Sequence, residues 1–79
     1  MKGQMALKRK YGLVHVPNRH RLERWLRRYD ELTDEREPPE IAGWRAAKET
    51  FPYEAKERRT PDLPTAEEVA SRLAGELGS

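Results

Sequence analysis

The residues best equipped for chemistry in this 79-residue chain are four arginines on one side of a predicted helix. They are Arg21, Arg24, Arg27 and Arg28, in the run from Asn18 to Leu32, with Arg19 and His20 at its start. A guanidinium is a planar, permanently charged fork of N–H donors. It matches a phosphate, a carboxylate or the edge of a guanine. The chemistry on offer is anion recognition rather than bond making. Two further basic clusters could join it: Lys8, Arg9 and Lys10 ahead of the helix, and Lys56, Arg58 and Arg59 well after it.

Nothing in the sequence predicts catalysis. Ser71 falls within a predicted helix and Ser79 is the last residue, and neither has a histidine in a recognisable pattern. His15 and His20 flank Pro17 and suggest neither a metal site nor an acid–base pair. The carboxylate pairs Asp34-Glu35 and Glu67-Glu68 belong to acidic surfaces. No glycine-rich loop follows a strand, so no phosphate cradle is expected. The absence of cysteine removes disulfide and thiolate chemistry and fits a reducing cytoplasm. We therefore expect no enzyme, no cofactor, no metal and no small-molecule substrate. The stretch Met1–Lys10 is basic but has no apolar run of signal-peptide length. No segment reaches the roughly 20 apolar residues that span a bilayer, so no membrane partner is expected.

The formal net charge of +2 conceals a steep gradient. Residues 1–28 hold nine Lys/Arg and one acid, net +8. Residues 29–40 hold six acids and one arginine, net −5. Residues 41–60 return to +2 and residues 61–79 to −3. Strong local fields thus sit on a nearly neutral molecule.

The elements that must position the arginines follow from hydrophobic spacing. Leu22, Trp25, Leu26, Tyr29 and Leu32 recur at helical intervals and predict a helix over about Asn18–Thr33, with the arginines on its other side. Asn18 suits the N-cap. The charges run against the helix dipole, with Arg19, Arg21 and Arg24 near its positive end and Asp30, Glu31, Asp34 and Glu35 near its negative end. Each misplaced exposed charge costs about 0.3–1 kcal/mol at low salt. One favourable pair, Glu23 with Arg27, returns only about 0.2–0.5 kcal/mol. Either packing elsewhere absorbs these charges, or they exist to meet something.

Upstream, Tyr11–Val16 reads as a short strand ending at Pro17. Its open edges need a partner, which residues 4–9, a second copy or another protein can supply. The alternative is an extended, mobile basic arm over residues 1–10. Downstream, Thr33–Glu37 reads as an acidic connector. Pro39 can open a helix to Phe51, with Ile41, Trp44, Ala47, the stem of Lys48 and Phe51 on one face, closed by Pro52. Tyr53–Arg59 suggests a short helical turn, and Thr60–Pro64 a stiff linker. Thr65 and Glu68 form a capping box for a last helix over Thr65–Leu77. Ala66, Val69, Ala70, Leu73 and Leu77 make its narrow apolar stripe, and Gly78 its stop.

The fold expected is mainly α: one small three-helix domain over residues 1–79 with a short N-terminal strand or basic arm, α+β if the strand pairs. Its expected core is Leu22, Trp25, Leu26, Leu32, Ile41, Trp44, Phe51, Val69 and Leu73. The function expected is a non-enzymatic regulator of transcription that binds DNA, or RNA, through the arginine face and the basic arm. The alternative is a regulator or inhibitor that docks on an acidic protein surface of the transcription apparatus, such as RNA polymerase, through the same face and by strand or helix addition. Either works as a monomer or homodimer. In composition the chain is similar to small regulators of high-GC bacteria and their phages, although no motif carries that similarity. Replacing Arg24 and Arg28 by alanine is expected to weaken partner binding with little change in melting temperature.

Overall fold

A computed structural model describes residues 2–57 and 62–78. Four helices form among them: α1 (Lys2–Tyr11), α2 (Arg19–Asp34), α3 (Pro39–Thr50) and α4 (Ala66–Leu77). The mainly helical class is as expected, with one helix more and no strand among the described residues. No described helix is long and apolar enough to cross a membrane.

The second helix lies where its spacing predicts. Asn18 Oδ1 accepts from the backbone N–H of Arg21 at 2.9 Å, which satisfies one free donor of the first turn. Leu22, Trp25, Tyr29 and Leu32 are buried, and Leu26 is half-buried at the edge of the core. Fully burying a leucine such as Leu22 or Leu32 contributes about 1.5–3 kcal/mol. The helix ends in a tight cap around Arg36, whose φ of 69° is left-handed. The Glu37 amide donates to Leu32 O at 3.1 Å and the Arg36 amide to Thr33 O at 3.0 Å.

The strand expected at Tyr11–Val16, with its basic arm, is corrected to a helix and its cap. Tyr11 is the last residue of α1, and Gly12 follows with φ 61°. The Leu13 amide donates back to Lys8 O at 3.0 Å, and Leu13 is buried. This is a helix stop that needs a glycine in the left-handed region, with an apolar residue just beyond it. Gly3, Ala6, Leu7, Lys10 and Tyr11 form the inward face of α1 at helical spacing. The segment after it runs exposed through Val14, His15 and Val16. There the Glu54 carboxylate accepts from the amides of Val14 and His15 at 3.1 and 3.3 Å.

The buried face of α3 also differs from expectation. Ala42, Gly43, Ala46, Ala47 and Thr50 face inward, Trp44 is half-buried, and Ile41 is 49% exposed. The reason is volume. Trp25 and Tyr29 stack at 5.3 Å between centroids against this helix, and only small residues leave room for two rings. The Trp25 indole N–H donates to Gly43 O at 3.1 Å. A Cβ on Gly43 would stand 2.5 Å from Tyr11 Oη and 2.6 Å from Ala66 Cβ, so α1, α3 and α4 converge there.

On α4, Thr65 Oγ1 accepts from the Glu68 amide at 3.1 Å, and Ala66, Val69, Ala70 and Leu73 are buried. Phe51 completes the core.

Candidate functional site on the second helix

The expected basic residues fall into three groups, separated by what holds each side chain. The first group is built into the fold. Lys10 is 5% exposed. Its ammonium donates to Pro64 O at 2.9 Å and pairs with Glu40 at 2.9 Å. Glu40 in turn accepts from the Ala66 amide at 2.6 Å and so caps α4. A cation expected on a mobile arm thus ties α1 to α3 and to the start of α4. Arg9 is exposed and has an interaction within the chain, and Lys8 is half-buried.

The second group is at least partly exposed but bonded to carboxylates of this chain. Arg19 pairs with Glu23 at 3.0 Å and reaches Leu77 O at 3.3 Å. Arg21 pairs with Glu54 at 3.5 Å and lies over the Phe51 ring at 5.9 Å. Arg28 pairs with Glu49 at 2.9 Å and with Glu31 at 3.1 Å. Its hydrogen bond to Glu49 is the main cause that raises its pKa above the ordinary arginine value. These bonds to α3, α4 and the turn after Phe51 absorb part of the charge that opposes the α2 dipole.

The third group is free. Arg24 and Arg27 are exposed and have no side-chain hydrogen bond or ion pair among the described residues. With His20 and Glu23 they line a shallow cleft on the outer side of α2. Lys56 is exposed, and its backbone N–H donates to Tyr11 O at 2.8 Å. Arg58 and Arg59 lie outside the described residues.

From sequence, Thr33–Glu37 reads as an acidic connector, and Asp30, Glu31, Asp34 and Glu35 as charges set against the helix dipole. The structure puts some of them on the arginine ridge itself. His20, Arg24, Arg27, Glu31 and Asp34 are all exposed, at successive intervals of four, three, four and three residues. Such spacing draws one straight line along the outside of a helix. The ridge is cationic in its first half and anionic in its second. Beside it, Leu26, Ala74 and Leu77 form the apolar lining of a groove between α2 and the end of α4, with Asp30 and Asp34 on its rim. Asp30 has its pKa raised, first by desolvation there and then by Asp34. The periodicity lies in the sequence itself, since His20, Arg24, Arg27, Glu31 and Asp34 alternate by four and three whatever their charge.

The core holds one further polar oddity. Tyr11 Oη is buried with no hydrogen-bond partner among the described residues, and burial pushes that hydroxyl far above its ordinary pKa. Its position against the backbone of Gly43 and the Ala66 methyl makes it a packing group. Among the described residues no group of three His, Asp or Glu side chains is placed to hold a metal ion. The arrangement sets the exposed guanidiniums of Arg24 and Arg27 beside the exposed carboxylates of Glu31 and Asp34. No protein-family model, curated protein or solved structure matches the chain.

Proposed function

We propose that this chain is a small non-enzymatic regulator that docks on a carboxylate-bearing protein surface through Arg24 and Arg27. One observation carries the reading. These two arginines lack partners among the described residues, whereas Arg19, Arg21 and Arg28 each hold a carboxylate of their own molecule. A paired guanidinium must release its carboxylate before it can take a phosphate. A duplex binder that neutralises about 6–10 phosphates needs far more cations than Arg24 and Arg27 supply on this face. Glu31 and Asp34, one or two turns along the same ridge, repel a polyanion but suit a protein surface of mixed charge. A large assembly such as RNA polymerase presents surfaces of that kind.

Nucleic-acid binding is the second reading. It is favoured by the cleft that His20, Arg24 and Arg27 share on the outer face, which a phosphate can approach. Capture from bacterial lysate tests both, with the chain as bait and half of the lysate nuclease-treated. A stoichiometric protein band that survives nuclease and disappears with R24A/R27A bait supports the protein reading. Capture abolished by nuclease replaces it with the phosphate-backbone reading.

A further inference from the structure

The ridge on α2 has a property that neither half shows alone: turned end for end, it complements itself. Arg24 and Arg27 precede Glu31 and Asp34 on one line, all four exposed, with Glu31 also accepting from Arg28 of its own chain and keeping its second oxygen for an incoming guanidinium. A second α2 laid antiparallel across the first brings the cationic half of each helix onto the anionic half of the other. A parallel pair would instead set arginine against arginine and carboxylate against carboxylate. The alternation of four and three residues is the spacing of a helix–helix seam, in which two helices cross at about 20° and stay in contact over several turns.

Exposed ion pairs contribute little individually, so apolar surface must be covered as well. The groove beside the ridge provides it, through half-buried Leu26 and Leu77 and exposed Ala74. Asp30 and Asp34 repel each other across one turn at its rim, and an incoming guanidinium relieves that repulsion.

From this charge pattern we infer that α2 pairs antiparallel with α2 of a second copy of this chain, Arg27 meeting the partner's Glu31 and Arg24 the partner's Asp34. The inference rests on the reading that Arg24 and Arg27 seek carboxylates, and it names a first source of them. It is also an isologous contact, closed at two copies.

Sedimentation equilibrium of the full chain tests it, at about 20 mM and about 500 mM salt, where charges act over about 20 Å and about 4 Å respectively. The low-salt sample is expected to approach twice the chain mass of 9.3 kDa as concentration rises to about 0.5 mM. High salt is expected to weaken association about tenfold or more. R24E/R27E alone and E31K/D34K alone are expected to stay monomeric with the helical circular dichroism of the parent. Their equimolar mixture is expected to dimerise, because each variant then supplies what the other lacks.

A parent chain that stays monomeric at low salt overturns the inference. So do charge-reversed variants that dimerise as well as the parent, since another face must then be responsible. A carboxylate-rich helical peptide, added as a fluorescent probe, separates this failure from that of the functional reading. If the chain is monomeric yet binds the peptide in an Arg24- and Arg27-dependent way, only the dimer falls. If it does neither, both fall.

Discussion

Lys10 and Arg24 both sit in basic runs of the sequence, yet the fold uses them in opposite ways. Lys10 is inside, where its ammonium joins Pro64 and Glu40 and so fixes three helices at one point. Arg24 is outside, on a ridge that nothing else in the described chain covers. The difference lies in where carboxylates fall in three dimensions. Glu40 stands 30 residues from Lys10 in sequence and 2.9 Å from it in space. A basic cluster read from sequence therefore measures charge density, whereas availability to a partner depends on the acids that folding brings near. The convergence of α1, α3 and α4 should respond to substitution as a structural site. The α2 ridge should respond as a surface.

The sharpest challenge to that contrast is G43A. The added methyl meets Tyr11 Oη and Ala66 Cβ at about 2.5–2.6 Å, and overpacking of this kind costs about 1–3 kcal/mol or more. Chemical denaturation should show a loss larger than that of any substitution on the α2 ridge. An unchanged midpoint would mean that the three helices do not meet closely at Gly43.

Lys10→Ala comes next, at about 2 kcal/mol. Its removal strands Pro64 O and ends the pairing with Glu40. The expected loss stays below the about 3–5 kcal/mol of a fully buried broken pair, because Glu40 remains half in water. Lys10→Met sharpens the result. Recovery of stability with methionine would assign Lys10's role to its aliphatic stem rather than to its charge.

Two substitutions should stabilise. R36G relieves the left-handed φ at the end of α2 and should add about 0.5–1 kcal/mol in thermal unfolding. D30N should add about 0.3–0.5 kcal/mol near neutral pH, by removing a negative charge from the C-terminal half of α2. The sign follows from the raised pKa of Asp30. A carboxyl harder to ionise in the fold than in the unfolded chain destabilises where it is charged. The benefit of D30N should fade as pH falls through the usual aspartate range near about 4. A gain that grew at low pH would contradict this.

The smallest effect on stability belongs to R24A/R27A, within about 0.5 kcal/mol, alongside the largest loss of partner capture. A melting temperature that fell as far as with Lys10→Ala would erase the contrast between the two regions.

What the sequence made legible was local. Asn18 and Thr65 cap the helices that follow them, Pro39 opens α3, and the stripe of Leu22, Trp25 and Leu32 sets the buried face of α2. The first helix was hidden because Gly12 reads equally as a strand residue or a helix stop. Lys10 also counted as polar on what is in fact an inward face. Ile41 and Trp44 were misplaced because hydrophobicity ranks them above Ala46 and Ala47, whereas the space beside Trp25 admits only the smaller side chains. The candidate site was half legible. The outward arginines followed from periodicity, but the pairing of Arg21 with Glu54 and of Arg28 with Glu49 joins distant parts of the chain. Local propensity carries no record of such pairs.

The amide of Gly3 donates to the Glu76 carboxylate across 73 positions of chain, and α1 packs chiefly against α4. During synthesis α1 leaves the ribosome before α2, α3 and α4, so the surface that receives it is made later than α1 itself. Its apolar side stays uncovered until Ala66–Leu77 has emerged, so that closing the fold is the slow, non-local step. A nascent chain stalled before that point should be the form most readily captured by chaperones.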